Sequence, residues 1–247
     1  MPKSKEELEL EKQLAAETVA RWIPYGSRIG IGSGSTSAYF IHALGRRIRE
    51  EELLVSGIAT SKASEELART EGIPLIEPQR GLLLDVTVDG ADELTPELHL
   101  IKGGGGKLFR EKVIASASKF LLVIVDSSKP VPVLGRMPLP VEVVPFALPW
   151  VTDRIASLGA DPVLREVSST PVLTDQGNWL LDCYFHAIPN PATLASKLSA
   201  IPGILEHGLF LGLAKMAVIA EGNRVSLLRP GRAAFDATKV PAMPPLE

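Results

Sequence analysis

The sequence predicts an α/β protein: a Rossmann-like, mostly parallel sheet with helices on both faces, joined to a smaller α+β unit. Three observations carry this. Short apolar runs alternate with helix-length stretches through the first half, an order that implies parallel strands covered on both faces, with right-handed crossovers. Six prolines then fall between Pro130 and Pro149, which marks a boundary. Beyond them the order becomes strand, helix, strand, strand, helix, strand, the ferredoxin-like β-α-β-β-α-β unit. The expected partition is 1–130 with 206–235 in the Rossmann-like domain, 131–205 in the ferredoxin-like domain and 236–247 as a loose, proline-containing tail.

The elements follow in order. Residues 8–22 have a helical pattern. "SRIGIG" is a short buried strand, and "STSAYFIHALGRRIRE" a helix with Tyr39, Ala43 and Arg47 at four-residue spacing. "LLVSGIA" is a strand, "SKASEELARTEG" a helix and "PLIE" a short strand. "LLLDVTVDGAD" is a strand running into a loop, "LFREKVIASAS" a helix and "KFLLVIVD" a strand. In the second unit, strands are expected at 139–145, 162–168, 178–186 and 204–211, and helices at 147–158 and 191–201. "TDQGN" makes the turn before the third of these strands. "LAKMAVIAEGNRVSLLRP" supplies two more apolar segments for the first sheet.

Composition narrows the function. Hydrophobic residues make up 45% of the 247, enough for a sizeable core. A net charge of −3 gives no global field toward nucleic acid or an anionic membrane, so any phosphate site is local. The single cysteine, Cys183, excludes an internal disulfide and a cysteine zinc cage, and fits a reducing compartment. The histidines at 42, 99, 186 and 207 lack metal-ligand spacing, so no metal is expected. The N-terminus is charged rather than a signal peptide, and no apolar run approaches the ~20 residues that span a bilayer. A cytoplasmic protein is expected.

Three clusters carry chemistry. "GIGSGST", residues 30–36, lies between a strand and a helix. Its G-x-G-x-G spacing and the Thr60-Ser61 end of the next strand do not fit a dinucleotide fingerprint. Free amides at a helix start, with the hydroxyls of Ser33, Ser35 and Thr36, suit a small phosphate. A tight turn with a serine cap is the alternative. In "DVTVDGADEL", Asp89 falls at a strand's carboxyl end and Asp92 follows three residues later. Carboxylates this close need a cation, hydrogen bonds or a shared proton. The third cluster is "IKGGGGKLFREK". Glycines 103–106 free backbone amides to approach a ligand, Lys102 brings a positive charge, and Glu111 stands just inside a helix. A carboxylate beside oxyanion donors is the equipment for removing a proton next to a carbonyl. A flexible connector, with Glu111 paired to Lys107, is the alternative. Together the clusters favour proton transfer on a phosphorylated sugar.

"SGST", "DGADE", "KGGGGKLFREK" and "DSSKPV" stand in the order and spacing of ribose-5-phosphate isomerase, type A. The resemblance continues through "PLPVEVVPFA", "TDQGN" and "IPGILEHGLF", to about residue 230. It implies interconversion of ribose 5-phosphate and ribulose 5-phosphate through an enediol(ate), in the pentose phosphate pathway, without metal or other cofactor. On that pattern Glu111 carries the proton between C1 and C2, and Asp89 and Lys102 assist ring opening. Asp92 and the loop Gly103, Gly104 and Gly105 orient hydroxyls and hold the oxyanion. Lys12, Ser33, Gly34, Ser35, Thr36, Asp89, Gly90, Ala91, Asp92, Lys102 and Lys129 contact substrate, Lys129 at the phosphate. The implied assembly is a homodimer, or a tetramer as in some members; no nucleic acid or membrane partner is implied. Ser33 replaces the family's usual threonine and keeps the hydroxyl. Lys107 stands where small residues are common, and is expected either to reach the substrate phosphate or to lie in solvent. Sugar-phosphate sensors, CoA transferases, lactonases and amino-sugar deaminases are the competing classes on related architectures.

Overall fold

The computed structural model describes residues 3–243. The chain opens with α1 (Lys5–Trp22), capped by a reciprocal Ser4–Glu7 box. Then come β1 (Ser27–Ile31), α2 (Ser35–Glu51), β2 (Val55–Ala59), α3 (Lys62–Thr70), β3 (Val86–Asp89), β4 (Glu93–Leu94), β5 (Leu100–Ile101), α4 (Leu108–Ser116) and β6 (Leu121–Asp126). The second unit contains β7 (Leu139–Val143), α5 (Leu148–Ala156), β8 (Asp161–Leu164), β9 (Glu166–Val167), β10 (Thr170–Pro171), β11 (Trp179–Tyr184), α6 (Pro191–Ser199) and β12 (Ile204–His207). The chain ends with β13 (Leu209–Phe210), β14 (Ala214–Glu221), β15 (Arg224–Leu228) and β16 (Phe235–Asp236).

The main sheet has seven strands in the order β16-β15-β14-β6-β3-β1-β2. The pairs from β14 through β2 are parallel, while β15 and β16 add antiparallel strands at one edge. "FLLVIV" is apolar throughout because β6 is covered on both faces. Leu122 and Ile124 pack with α1 and α2 residues such as Ala16 and Phe40, whereas Leu121, Val123 and Val125 pack with Leu108 and Phe210. The smaller sheet is antiparallel, in the order β12-β7-β11-β8, and has its own core around Val141, Val151 and Leu181. A three-stranded sheet, β13-β5-β4, lies between them. Leu100 belongs to the main sheet's core and Ile101 to the smaller sheet's, so the peptide leading into Lys102 is held from both sides.

Several expectations change. "PLIE" forms only a bridge, in which Pro74 O and Ile76 N both bond Gly57. Pro74 has no N–H to extend it. The run 204–211 breaks at Gly208, where the chain leaves β7 for β5. A Cβ there would lie 2.3 Å from the Lys102 carbonyl oxygen, so only glycine permits this crossing. The strand expected at 162–168 ends at Leu164 and continues as the β9–β10 hairpin, turned by Ser168 and Ser169 at positive φ. Residues 236–243, read as the start of a loose tail, include a turn of 3-10 helix, bury Ala237 and bring the Val240 carbonyl to Trp22 Nε1 at 3.0 Å. The rest of that tail, residues 244–247, lies outside the described residues. Among the described residues no helix is long and apolar enough to cross a membrane.

Candidate active site

The carboxyl ends of β1, β2 and β3 open onto a cavity of about 550 Å³, the size of a small-metabolite site. Four lysines (Lys12, Lys102, Lys107, Lys129) and two carboxylates (Asp92, Glu111) line it, a balance that favours an anionic ligand. Ser33, Gly34, Ser35, Thr36, Gly90, Ala91, Gly103, Gly104 and Gly105 complete most of the wall. Of the residues that the resemblance assigns to catalysis or substrate contact, Asp89 alone is not on the wall. It is 1% exposed and sits behind Lys102.

Asp89 is the anchor of the site. Its Oδ1 accepts the Ser33 amide (3.0 Å), the Ser37 hydroxyl (3.1 Å) and the Gly90 amide (2.8 Å). Oδ2 lies 3.0 Å from Lys102 Nζ. The glycine at 32 is explained here, because a Cβ would fall 2.3 Å from Asp89 Oδ1. Gly34 has φ +89° and caps α2 without a side-chain bond, leaving the helix's first amides facing the cavity. The small-anion reading needs one correction. Ser33 spends its amide on Asp89 and its hydroxyl on Glu111 Oε1, so it is not a free anion donor. The hydroxyls of Ser35 and Thr36 have no partner among the described residues.

Lys102 is 3% exposed. Its Nζ donates to the Gly90 carbonyl at 2.6 Å and lies 3.2 Å from Glu111 Oε2. Burial works against its charge, but Asp89 and Glu111 outweigh burial and hold its pKa above the ordinary value. Glu111 stands in the first turn of α4 and is 6% exposed. Burial and, behind it, the charge of Asp89 raise its pKa to about 7 against the opposing pull of Lys102 and Ser33. The surface pair between Glu111 and Lys107 does not form. Lys107 lies on the cavity wall rather than out in solvent, its Nζ paired with Asp175 Oδ1 at 2.6 Å.

The glycine run is a tight turn. The Gly106 amide donates to the Gly103 carbonyl (2.9 Å), with Gly103 at φ +100° and Gly106 at +75°. The Gly104 amide donates to Asp92 Oδ2 at 2.7 Å, so the two aspartates have separate partners. Lys12 Nζ bonds Glu9 Oε1 at 2.7 Å, whereas Lys129 Nζ has no partner among the described residues. Sequence reasoning missed Ser61 and Ser64 on the cavity wall, Asp175 at Lys107, and Arg165, which donates to the loop carbonyls. Asp175 lay in "TDQGN", read as a turn, and Ser61 ended a strand weighed only against a dinucleotide fingerprint; neither was read as part of the site. Among the described residues no cluster of His, Cys, Asp and Glu is arranged to hold a metal.

Known proteins resemble this chain in sequence and fold. The family model described as ribose 5-phosphate isomerase A (phosphoriboisomerase A) matches residues 56–224. Ribose-5-phosphate isomerase A of Sphingopyxis alaskensis is 45% identical over 90% of this chain and 97% of its own. That of Roseiflexus castenholzii is 46% identical over 85% of this chain and 92% of its own. The solved enzyme from Methanocaldococcus jannaschii superposes with a TM-score of 0.85 at 38% identity, covering 90% of this chain and 99% of that one. A D-ribose-5-phosphate isomerase in complex with phospho-erythronic acid gives 0.87 at 36% identity, with the same coverage. With a family model that matches residues 56–224 and relatives 45–46% identical over 85–90% of its length, the chain belongs to the ribose 5-phosphate isomerase A family.

Proposed function

We propose that the protein interconverts ribose 5-phosphate and ribulose 5-phosphate with Glu111 as the base. The observation that carries this is the Glu111 carboxylate: buried at the cavity wall, held by Ser33 and Lys102, and poised to ionise at about pH 7. A base works best with a pKa near the working pH, since it must take a proton and give it back.

In the open-chain sugar, Glu111 removes the hydrogen from C2. The C–H electrons form the C1–C2 double bond and the aldehyde π electrons move onto O1. Glu111 then returns its proton to C1, the C2 hydroxyl proton passes to O1, and C2 becomes the carbonyl. Lys102 and Asp89 assist that oxygen-to-oxygen transfer and ring opening, a role their contact with each other and with Glu111 supports. Gly105 lines the cavity and its amide has no partner among the described residues, which supports it as the donor to the developing oxyanion. The first amides of α2, with Ser35, Thr36, Lys12 and Lys129, form the phosphate end. A phosphorylated four-carbon acid such as the one bound by the related isomerase suits both ends of the cavity.

The same proposal takes the 4-1-3-2 order of the smaller sheet as ferredoxin-like, with boundaries near residues 131 and 205. It also takes the assembly to be a homodimer or tetramer working in the cytoplasm; light scattering reads the assembly. The activity test supplies ribose 5-phosphate with EDTA and follows ribulose 5-phosphate by NMR. Glu111→Gln is expected to lose roughly 10²–10⁴-fold in kcat, with KM little changed. A fully active Glu111→Gln overturns the assignment of the base.

A further inference from the structure

We propose that Arg165, on the smaller sheet, is a positioning residue that aims the glycine loop's amide at the reacting oxygen; this rests on the reading of the site given above. Arg165 follows β8, and its backbone is fixed on both sides. Its amide donates to the Leu180 carbonyl (2.8 Å) and its carbonyl accepts the Val172 amide (2.9 Å). Asp182 on β11 grips the guanidinium at two atoms, Nε to Oδ2 at 2.8 Å and Nη2 to Oδ1. Such a fork fixes the plane of the group. The remaining nitrogen, Nη1, donates to the Gly104 carbonyl at 2.8 Å and reaches the Gly103 carbonyl at 3.3 Å.

The consequence lies in peptide geometry. In a planar trans peptide the C=O and the following N–H point in opposite directions. Arg165 holds the Gly104 carbonyl on the side of the smaller sheet, so the Gly105 N–H of the same peptide is turned the other way, toward the cavity that Gly105 lines. The preceding peptide obeys the same rule. Its Gly103 carbonyl faces Arg165, and its Gly104 N–H reaches Asp92 Oδ2 at 2.7 Å. Glycines left alone would flip these peptides freely. Asp92 from one side and Arg165 from the other remove that freedom before substrate arrives. Charge-assisted donation to the carbonyl also polarises the peptide and strengthens its N–H as a donor.

The test compares Arg165→Ala, Arg165→Lys and Asp182→Asn with wild type. Each is read for kcat, KM, and affinity for two ligands: 4-phospho-erythronate, whose carboxylate mimics the enediolate, and ribitol 5-phosphate, which keeps the phosphate but has only neutral hydroxyls at C1 and C2. Arg165→Ala is expected to lower kcat and weaken the acid by a similar ~10²-fold, the usual loss for a misplaced oxyanion donor, while KM and ribitol 5-phosphate affinity change little. Lys keeps the charge but not the fork, so Arg165→Lys should recover part of the loss, and Asp182→Asn should fall between it and wild type. A kcat for Arg165→Ala within about twofold of wild type, or equal weakening of both ligands, overturns the proposal. If Arg165→Ala does not fold, the discrimination between the two ligands by Arg165→Lys decides the question in the same way. Inactive wild type, or a fully active Glu111→Gln, would instead sink the assignment of the site itself.

Discussion

At the scale of single residues, the site is a problem in burying charge. Glu111, Lys102 and Asp89 are all nearly excluded from water, yet each is within ion-pair distance of the next along the chain of contacts. One lysine serves two carboxylates. Asp89 has three further donors, whereas Glu111 has only Ser33; burial and the neighbouring Asp89 charge raise the Glu111 pKa to about 7 against Lys102 and Ser33. The base must be ionised to act. On this basis kcat/KM should rise with pH through about 7 and level off above it, falling about tenfold per unit on the acid side. Ser33→Ala removes a hydrogen bond that favours the ionised form, so it should move that rise to higher pH; an unmoved profile would remove Ser33 from the tuning. Gly104→Ala places a Cβ 2.6 Å from Asp92 Oδ1. It should reduce kcat roughly tenfold or more by displacing the loop, while thermal unfolding barely shifts. Much of this was legible in the sequence, because the residues sit in three short runs rich in glycine and charge. Arg165 was not legible. A lone arginine at a strand end has no local signature, and its partners Gly104 and Asp182 lie 61 and 17 residues away.

At the scale of elements, short connections do the positioning. The crossing at Gly208 and the two-residue strand β5 set the Lys102 backbone, with the Lys102 amide bonded to the Gly208 carbonyl at 2.9 Å. Strands this short, and a mid-strand change of partner, leave no periodicity to detect, which is why 204–211 reads as one strand in the sequence. The "TDQGN" turn was read only as a connector, and it does more. Buried Glu142 accepts Thr174 Oγ1 (2.7 Å) and Asn178 Nδ2 (3.0 Å), fixing the turn. Asp175 then reaches Lys107 and the Lys62 amide at the start of α3. Asp175→Ala should therefore release Lys107 and α3 together and raise KM severalfold, with kcat much less affected. Steady-state kinetics separates the two, and a loss confined to kcat would contradict this role.

At the scale of the molecule, the parallel order of the sheet puts the site where strands end and helices begin, as open α/β sheets do. That order was legible because each strand and helix is long enough to show its period. The two-residue strands β4, β5, β10 and β16 were not. The far edge of the sheet is tied to the first helix by Glu11, 1% exposed, which accepts from Lys3, Ser127 and the Gly222 amide in the β14–β15 turn. Burial works against its charge, but these bonds outweigh it and lower its pKa from 4.5 to about 2. A depressed carboxylate contributes stability above its unfolded pKa and loses it as pH falls through the folded one. The Glu11 share should thus be intact above about pH 4.5 and disappear toward pH 2. Glu11→Gln should cost about 2 kcal/mol at neutral pH and flatten that acid limb, as read by urea unfolding across pH; an unchanged limb would show that Glu11 does not carry it.

All the chemistry comes back to one carboxyl group held at the edge of ionisation by its surroundings. The most direct measurement is a carbon-13 NMR titration of the glutamate carboxyls, with the Glu111 signal assigned by its loss in Glu111→Gln. The expected midpoint is about 7. A Glu111 midpoint at the ordinary value of about 4.5 would mean the group is neither desolvated nor poised as a base at neutral pH.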